Sequence, residues 1–362
     1  MFRTPVSAKS ASRPVAHRHN VNGSVRTPTV VPRVADLCCG MGGLSWAAHQ
    51  LGLRVAAGVD LNKTAIRTFA VNFPLATAIQ GSVRSSKVLR QCSQLLAPPG
   101  EPPAPSVIVS GPPCQGFSAA GSRDPADPRN QLLVAVARAI VVLNPQCALV
   151  ENVAAVLAPK HEERLRRFED TLCANGFSVF KVLLDAADFG VPQKRKRAFF
   201  LISRQDIGEH GFRSRLRGLQ QPRQNVAAAL GGLPKPAVRP DDYDDERDYG
   251  VIPNHFAMQH SRRVMKKIAS LQPGTGPMSY RRLDPAKPSN TLFSGHRAPP
   301  AHYSEPRSIT VREAARLQGF PDDFRVYGSF ANQMEQVTNA VPPPLAAAVL
   351  EVLLDLAGVL TQ

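Results

Sequence analysis

Three short stretches of this 362-residue chain carry side chains that could do covalent chemistry together. The first is Gly111-Pro112-Pro113-Cys114-Gln115-Gly116-Phe117-Ser118, directly after the apolar run Ser106–Ser110. That run reads as a short buried β-strand. The two prolines fix φ and stop the strand pairing further, so the Cys114 thiol is presented on a rigid turn at a carboxyl end of a sheet, where open α/β folds put their ligands. The second stretch is Glu151-Asn152-Val153, a carboxyl group closing another apolar strand. The third is Gln193-Lys194-Arg195-Lys196-Arg197, whose extended reading sends Gln193, Arg195 and Arg197 to one face. Singly, each has a plainer meaning: a buried free cysteine is usually inert packing, and a basic run is ordinarily a solvated face or a localisation-type patch.

Upstream lies Asp36-Leu37-Cys38-Cys39-Gly40-Met41-Gly42-Gly43. A glycine loop between strand and helix lets a ligand approach the backbone and meet the helix amino terminus. Asp60 follows at the end of the next strand, where an acid accepts hydrogen bonds from ribose hydroxyls in nucleotide-binding α/β folds. By itself this pattern fits a dinucleotide site or simple tight packing.

The elements that must position these residues alternate along the first half. Strands are expected at Val34–Cys38, Val55–Val59, Ser106–Ser110, Ala148–Glu151, Phe177–Leu184 and Arg197–Ser203. Helices are expected at Leu44–Leu51, from the Asn62 cap through Phe73, at Asn130–Leu143 and at His161–Asn175 with Gly176 as its stop. Ala97–Pro103 reads as a proline-rich loop. This alternation argues for an α/β, doubly wound, Rossmann-like domain. From Arg204 the pattern breaks into short segments punctuated by Arg, Pro and Gly, and helix returns at Thr310–Gly319 and Pro344–Leu356. The expected organisation is a basic tail (1–33), a catalytic and cofactor-binding domain (34–203), a smaller irregular domain (204–325) and a C-terminal segment returning to the first domain (326–362). Asp241–Glu246 reads as a solvated acidic loop rather than a metal site, and the basic segment His260–Lys267 as a helix that is either a solvated face or a phosphate contact.

The net charge of +16 and pI near 10.1 point to a polyanionic partner. No apolar run approaches the roughly 20 residues of a membrane span. Six cysteines show neither disulfide-scaffold density nor paired metal-ligand spacing, so no metal is expected and a reducing compartment fits. Residues 1–33 carry basic residues, Ser and Pro with no acid, the composition of a disordered basic tail and also of an organellar transit peptide.

Taken in order, these stretches resemble the DNA (cytosine-5)-methyltransferase family. The resemblance spans roughly residues 34–355 and includes Arg307–Pro321, with a capping box from Thr310 to Glu313, and Gln336–Pro343. It implies S-adenosylmethionine as cofactor, held by Asp36, Cys38, Gly40, Gly42, Gly43, Asp60, Leu61, Ser82, Pro112, Asn339 and Val341. It implies that Cys114 adds to carbon 6 of cytosine, making carbon 5 reactive. A free thiol with pKa ~8.5 is only a few per cent ionised at neutral pH, so positive potential is needed, and Arg195 is the nearest candidate in the motif set. Glu151 would donate to ring nitrogen 3 and accept from the exocyclic amine, Asn152 would hold the loop, and Arg197 would reach the carbonyl oxygen. The target base must leave the duplex, with the loop from Ser118 to Asn130 closing over it. Gln115, Ser118, Arg123, Gln193, Lys194, Lys196 and Thr291 are the implied nucleic-acid contacts.

Three positions depart from the family pattern. Cys38 stands where a phenylalanine is usual, Ser82 where an aspartate is usual, and Thr338 where a glycine often allows positive φ. The first two predict weaker cofactor binding, on the order of 1.5–3 kcal/mol for a lost charged acceptor; the third predicts a reshaped turn. The expected activity is methylation of cytosine carbon 5 in a short double-stranded DNA sequence by a cytoplasmic, nucleoid-associated monomer, alongside a cognate restriction endonuclease. The alternatives are transfer RNA methylation, whose Cys-Phe-Thr tripeptide this chain lacks, and a catalytically weak DNA-binding relative.

Overall fold

A computed structural model of the chain describes residues 30–113, 131–240, 243, 244, 247, 249, 251–277, 280–293 and 299–360. Residues 1–29 of the basic tail, Cys114 through Asn130 and most of Asp241–Glu246 lie outside these residues, and Arg33, expected in the tail, opens the first strand.

Among the described residues, seven strands form one sheet: β1 (Arg33–Leu37), β2 (Arg54–Asp60), β3 (Thr77–Gln80), β4 (Ser106–Ser110), β5 (Cys147–Val153), β6 (Ser178–Asp185) and β7 (Lys196–Ser203), in the order β3-β2-β1-β4-β5-β7-β6. The chain starts at β1, runs outward through β2 and β3, then crosses back to place β4 on the other side of β1. That reversal opens a crevice at the carboxyl ends of β1 and β4. The glycine loop and the Gly111-Pro112-Pro113 turn emerge there side by side. Within this sheet β7 alone runs antiparallel, between β5 and β6. Its connection from β6 contains a 3-10 turn at Ala186–Asp188 and no crossover helix, so a parallel return is not available.

The helices of the described residues are α1 (Gly43–Gln50), α2 (Lys63–Asn72), α3 (Ser86–Leu96), α4 (Leu132–Leu143), α5 (Glu162–Cys173), α6 (Glu209–Gly218), α7 (Val226–Leu230), α8 (Arg262–Ala269), α9 (Val311–Leu317), α10 (Phe330–Asn339) and α11 (Pro343–Leu356). Strand residues alternate between two apolar layers. Val107, Val109, Leu149, Phe199 and Leu201 face the layer shared with α1, α6 and α11; Ile108, Ala148, Val150, Phe200 and Ile202 face the layer under α3, α4 and α5. With helices on both faces, the central strands read as continuous apolar runs, which is why they are visible in the sequence.

The sequence reading misses β3 and α3. β3 is a four-residue edge strand with only Ile79 buried, too short to show alternation. α3 does carry a signal: Ser85 caps it by accepting from the Val88 N–H, and Val88, Leu89, Cys92 and Leu96 recur at helical spacing on its buried side. α10 is missed as well. The α10–α11 stretch is long and apolar enough to cross a membrane by composition, but 72% of its most apolar window is buried inside the protein, as core helices are.

Candidate active site and cofactor cleft

One cleft of about 1970 Å³ opens at the carboxyl edge of the sheet. Its walls are the glycine loop, the ends of β2 and β5, the Gly111–Pro113 turn, the Lys194–Arg197 segment, residues 281–293 and the end of α10.

At the glycine-loop end, Asp60 is held by two backbone N–H groups. Gly40 donates to Oδ2 at 2.9 Å and Asn62 to Oδ1 at 2.8 Å, so the carboxylate is fixed where it lines the cleft. Gly42 cannot bear a side chain: its φ is 99°, and a Cβ would stand 2.4 Å from the Phe73 ring. Gly43 meets the far end of the chain, where a Cβ would stand 2.4 Å from the Val341 carbonyl oxygen. Residues almost 300 positions apart are thereby locked into one wall. Gly40, Cys38, Leu61, Ser82, Pro112, Asn339 and Val341 all line the cleft. Cys38 adopts φ 64°, unusual for a residue with a side chain. The Ser82 hydroxyl accepts from the Arg84 N–H at 3.2 Å.

Asp36 is a correction, for it does not line the cleft; Gly42 stands between Met41 and Gly43, which do. Asp36 is fully buried beneath the loop, where Oδ2 accepts from the Ser45 hydroxyl at 2.6 Å. Burial pushes its pKa up to about 7, with the Ser45 bond opposing and the charge of Asp60 adding to the rise. Thr338 is a correction of another kind. It lies inside α10, 4% exposed, with its hydroxyl donating to the Glu335 carbonyl at 3.1 Å, and it is not among the residues with positive φ. A helical position requires no glycine, so the expected strain is absent.

At the other end, β5 and β7 lie side by side and set Glu151 against Arg197. The guanidinium Nε of Arg197 is 2.8 Å from Glu151 Oε1, with both side chains almost buried. Burial raises the Glu151 pKa, while the charges of Arg197 and Arg195 and the Arg197 hydrogen bond pull it back; the net direction is upward. Asn152, 1% exposed, donates to the Pro112 carbonyl at 3.1 Å and so pins the turn ahead of Cys114. A Cβ on Gly111 would stand 3.6 Å from Glu151 Oε2. The carboxyl group therefore sits against the backbone three residues before Cys114. Cys114 itself, with Gln115, Ser118 and Arg123, lies outside the described residues.

The alternation of Gln193, Arg195 and Arg197 is present, but the face is inverted from its expected use. Gln193 is fully buried: its amide donates to Leu317 O at 3.2 Å and Gln318 Oε1 at 3.3 Å, and its oxygen accepts from the Leu292 N–H at 3.1 Å. A nucleic-acid contact is not open to it. Arg195, 1% exposed, donates to the carbonyls of Thr338 at 2.7 Å and Ala340 at 3.1 Å, with Leu292 O at 3.5 Å. It lines the cleft, and these hydrogen bonds tie β7 to two distant segments, a positioning role beside the catalytic one expected of it. Lys194 and Lys196 are exposed on the cleft wall. Thr291 is half-buried there, donating to the Lys194 carbonyl at 2.7 Å, while the Lys194 N–H donates to Ser289 O at 2.8 Å.

Sequence reasoning gives no role to the wall built by Pro273–Gly276 and Arg281–Asp284. The available signal is a Pro-Gly-x-Gly turn followed by two arginines, and both glycines do take positive φ (79° and 106°). The basic segment near His260 does form a helix, α8, capped by Ser261, with only Ile268 buried. The capping box at α9 is present in full: Glu313 accepts from the Thr310 N–H at 2.7 Å, and Thr310 accepts from the Glu313 N–H at 3.1 Å.

Comparison with known proteins agrees with this geometry. A family model described as C-5 cytosine-specific DNA methylase matches residues 32–355. The chain is 32% identical over 341 residues to the Type II methyltransferase M1.HphI of Haemophilus parahaemolyticus, covering 89% of this chain and 86% of that one. It is 30% identical over 362 residues to the Type II methyltransferase M.XorII of Xanthomonas oryzae pv. oryzae, covering 87% and 82%. A prophage-encoded E. coli protein, described as a DNA modification methyltransferase, superposes with a TM-score of 0.73 at 28% identity, over 90% of this chain and 99% of that one. The S. pombe Dnmt2 methyltransferase shares the fold, with a TM-score of 0.62 at 18% identity over 90% and 98%. From its glycine loop to its closing helix, the chain belongs to the C-5 cytosine-specific DNA methylase family.

Proposed function

We propose that the protein transfers a methyl group from S-adenosylmethionine to carbon 5 of a cytosine extruded from a short sequence in double-stranded DNA. The observation that carries this reading is the buried Glu151–Arg197 pair. It packs against Gly111, three residues before Cys114, in the same cleft as a backbone-fixed Asp60.

The glycine-loop end fits the cofactor. Asp60 offers a fixed carboxylate to vicinal hydroxyls, Leu61 and Val83 offer apolar surface, and the Gly43–Val341 contact makes a wall no side chain invades. When bound, S-adenosylmethionine supplies an electrophilic methyl group. Cys38 and Ser82 leave this end with a thiol and a hydroxyl, which predicts weaker cofactor binding than an aspartate at residue 82 would give.

At the base end, the Cys114 thiolate adds to ring carbon 6 while Glu151, its pKa raised by burial, gives its proton to ring nitrogen 3. Arg197 holds Glu151 through its Nε–H, donates from one terminal nitrogen to the Lys196 carbonyl at 2.8 Å, and would use the other toward the base carbonyl. Once carbon 5 carries the methyl group, its proton passes to water, the carbon 6–sulfur bond breaks to release the Cys114 thiolate, and the nitrogen 3 proton returns to Glu151, leaving an aromatic ring. Lys194, Lys196 and α8 supply positive charge for the phosphates. Residues 204–325 form the recognition part, and the Type II relatives support pairing with a cognate endonuclease. We read the protein as a cytoplasmic, nucleoid-associated monomer.

Expression in a methylation-free host followed by bisulfite sequencing tests the proposal. The expected result is one short sequence protected in the wild type and none with Cys114→Ala. Full protection with Cys114→Ala would overturn the nucleophile assignment.

A further inference from the structure

A second groove, of about 1260 Å³, runs along the outer face formed by α3, α4 and α5, away from the chemistry. α4 is its floor, where Val134 and Ala135 are partly exposed and Val142 is 65% exposed. Its sides carry Arg84, Arg90, Arg138, Lys160, Arg164 and Arg167. Two acids, Glu163 and Asp170, also border it, and each is matched one helical turn away, by Arg167 at 2.5 Å and Arg166 at 3.8 Å. The groove is therefore strongly positive. His161, buried at the start of α5, responds to that field: burial, then the charges of Lys160 and Arg164, push its pKa down.

The groove adjoins the active-site cleft. Val83 lines both, and the adjoining Gln131 and Leu132, at the start of α4, line one each. The two meet where the chain returns from the Cys114 segment. Helix α4, with twelve residues, extends about 18 Å, roughly the length of five nucleotides of one strand at 3.4 Å each.

We propose that this groove binds the phosphodiester backbone of the duplex on one flank of the target, outside the base pairs held in the cleft. The proposal rests on DNA being the substrate. An acidic protein segment would match the charge too. The position beside the cleft favours DNA, the polyanion that the cleft itself would hold.

The test uses the full chain, random-sequence duplexes of about 10 and about 30 base pairs, and fluorescence anisotropy between roughly 50 and 200 mM salt. The variant is Arg90→Gln/Arg138→Gln/Lys160→Gln, three exposed groups outside the cleft. Comparing variant with wild type at each length cancels the statistical advantage of longer DNA. The expected result is a loss of about tenfold or more in affinity for the long duplex, with its salt slope reduced by roughly 2 to 3, near 0.9 for each phosphate no longer neutralised. Affinity for the short duplex and for S-adenosylmethionine stays unchanged. Equal losses at both lengths, or no loss at either, would overturn the groove assignment. A wild type that binds neither duplex and methylates no DNA would instead overturn the parent reading, and this one with it.

Discussion

The guanidinium of Arg195 reaches the carbonyl of Thr338 at 2.7 Å, joining the entry of β7 to the end of α10 across the floor of the cleft. Leu292, from the wall opposite, is the third carbonyl within its reach, at 3.5 Å. Gln193 and Gln318 extend the connection: Gln318 bonds both the Gln193 amide and the Val337 carbonyl, the latter at 2.7 Å. The glycine-loop end of the cleft and the wall around Leu292 are thus cross-linked through two buried side chains of one short segment.

Arg195→Lys keeps a charge but loses the planar fork that serves several carbonyls at once. The expected result is a roughly tenfold rise in KM for S-adenosylmethionine, with kcat changed less. Arg195→Ala should lower stability by about 3–5 kcal/mol, because buried carbonyls lose their donor. Steady-state kinetics and urea unfolding measure the two effects. A lysine variant with unchanged KM would show that the cross-link does not shape the cofactor end.

Glu151→Gln retains size and hydrogen bonding but cannot give up a proton. A fall of about 10²- to 10⁴-fold in kcat is expected, the usual share of general acid catalysis. The wild-type carboxyl, raised by burial, is protonated below its pKa and loses its proton above it. Wild-type kcat should therefore decline as pH rises through that value, and the glutamine variant should lack this limb. Single-turnover rates across a pH series decide it; a limb that persists in the variant belongs to another group.

Asp36 makes stability depend on pH. Its pKa is about 7 when folded against an ordinary value of 3.8, so the folded state holds a proton that the unfolded state has released. The stabilising contribution of the neutral, buried acid is therefore complete below the unfolded value and is lost as pH climbs through about 7. Asp36→Asn, still able to accept from Ser45, removes this dependence. Relative to wild type it should gain about 2–3 kcal/mol between pH 5 and pH 8. Urea unfolding at both values is the measurement, and parallel pH dependence in the two proteins would refute it.

Asp60→Asn should weaken S-adenosylmethionine binding by about 10- to 100-fold, since a fixed carboxylate becomes a neutral acceptor with half its capacity. Ser82→Asp should move affinity the other way, by about tenfold. Calorimetric titration distinguishes them. If Ser82→Asp binds no tighter, residue 82 does not face the cofactor.

The amino-acid sequence by itself determined which groups are present and where most of the strands end. Apolar runs bounded by glycine and proline located β1, β2, β4, β5 and β7, because strands covered on both faces must be apolar throughout. With those ends fixed, Asp60, Glu151 and the turn before Cys114 were bound to share one sheet edge. The capping box of α9 was equally legible, being a local arrangement within four residues. Only the tertiary structure decided which side of an alternating segment meets solvent. Period-two spacing groups Gln193 with Arg195 and Arg197, but whether that face meets DNA or the protein interior depends on α9, α10 and residues 289–292, which arrive about a hundred or more positions later. The same holds for Asp36 and Thr338. Each lies in a recognisable motif, yet burial with Ser45 in one case and a helical backbone in the other set its role, and the motif's spacing shows neither.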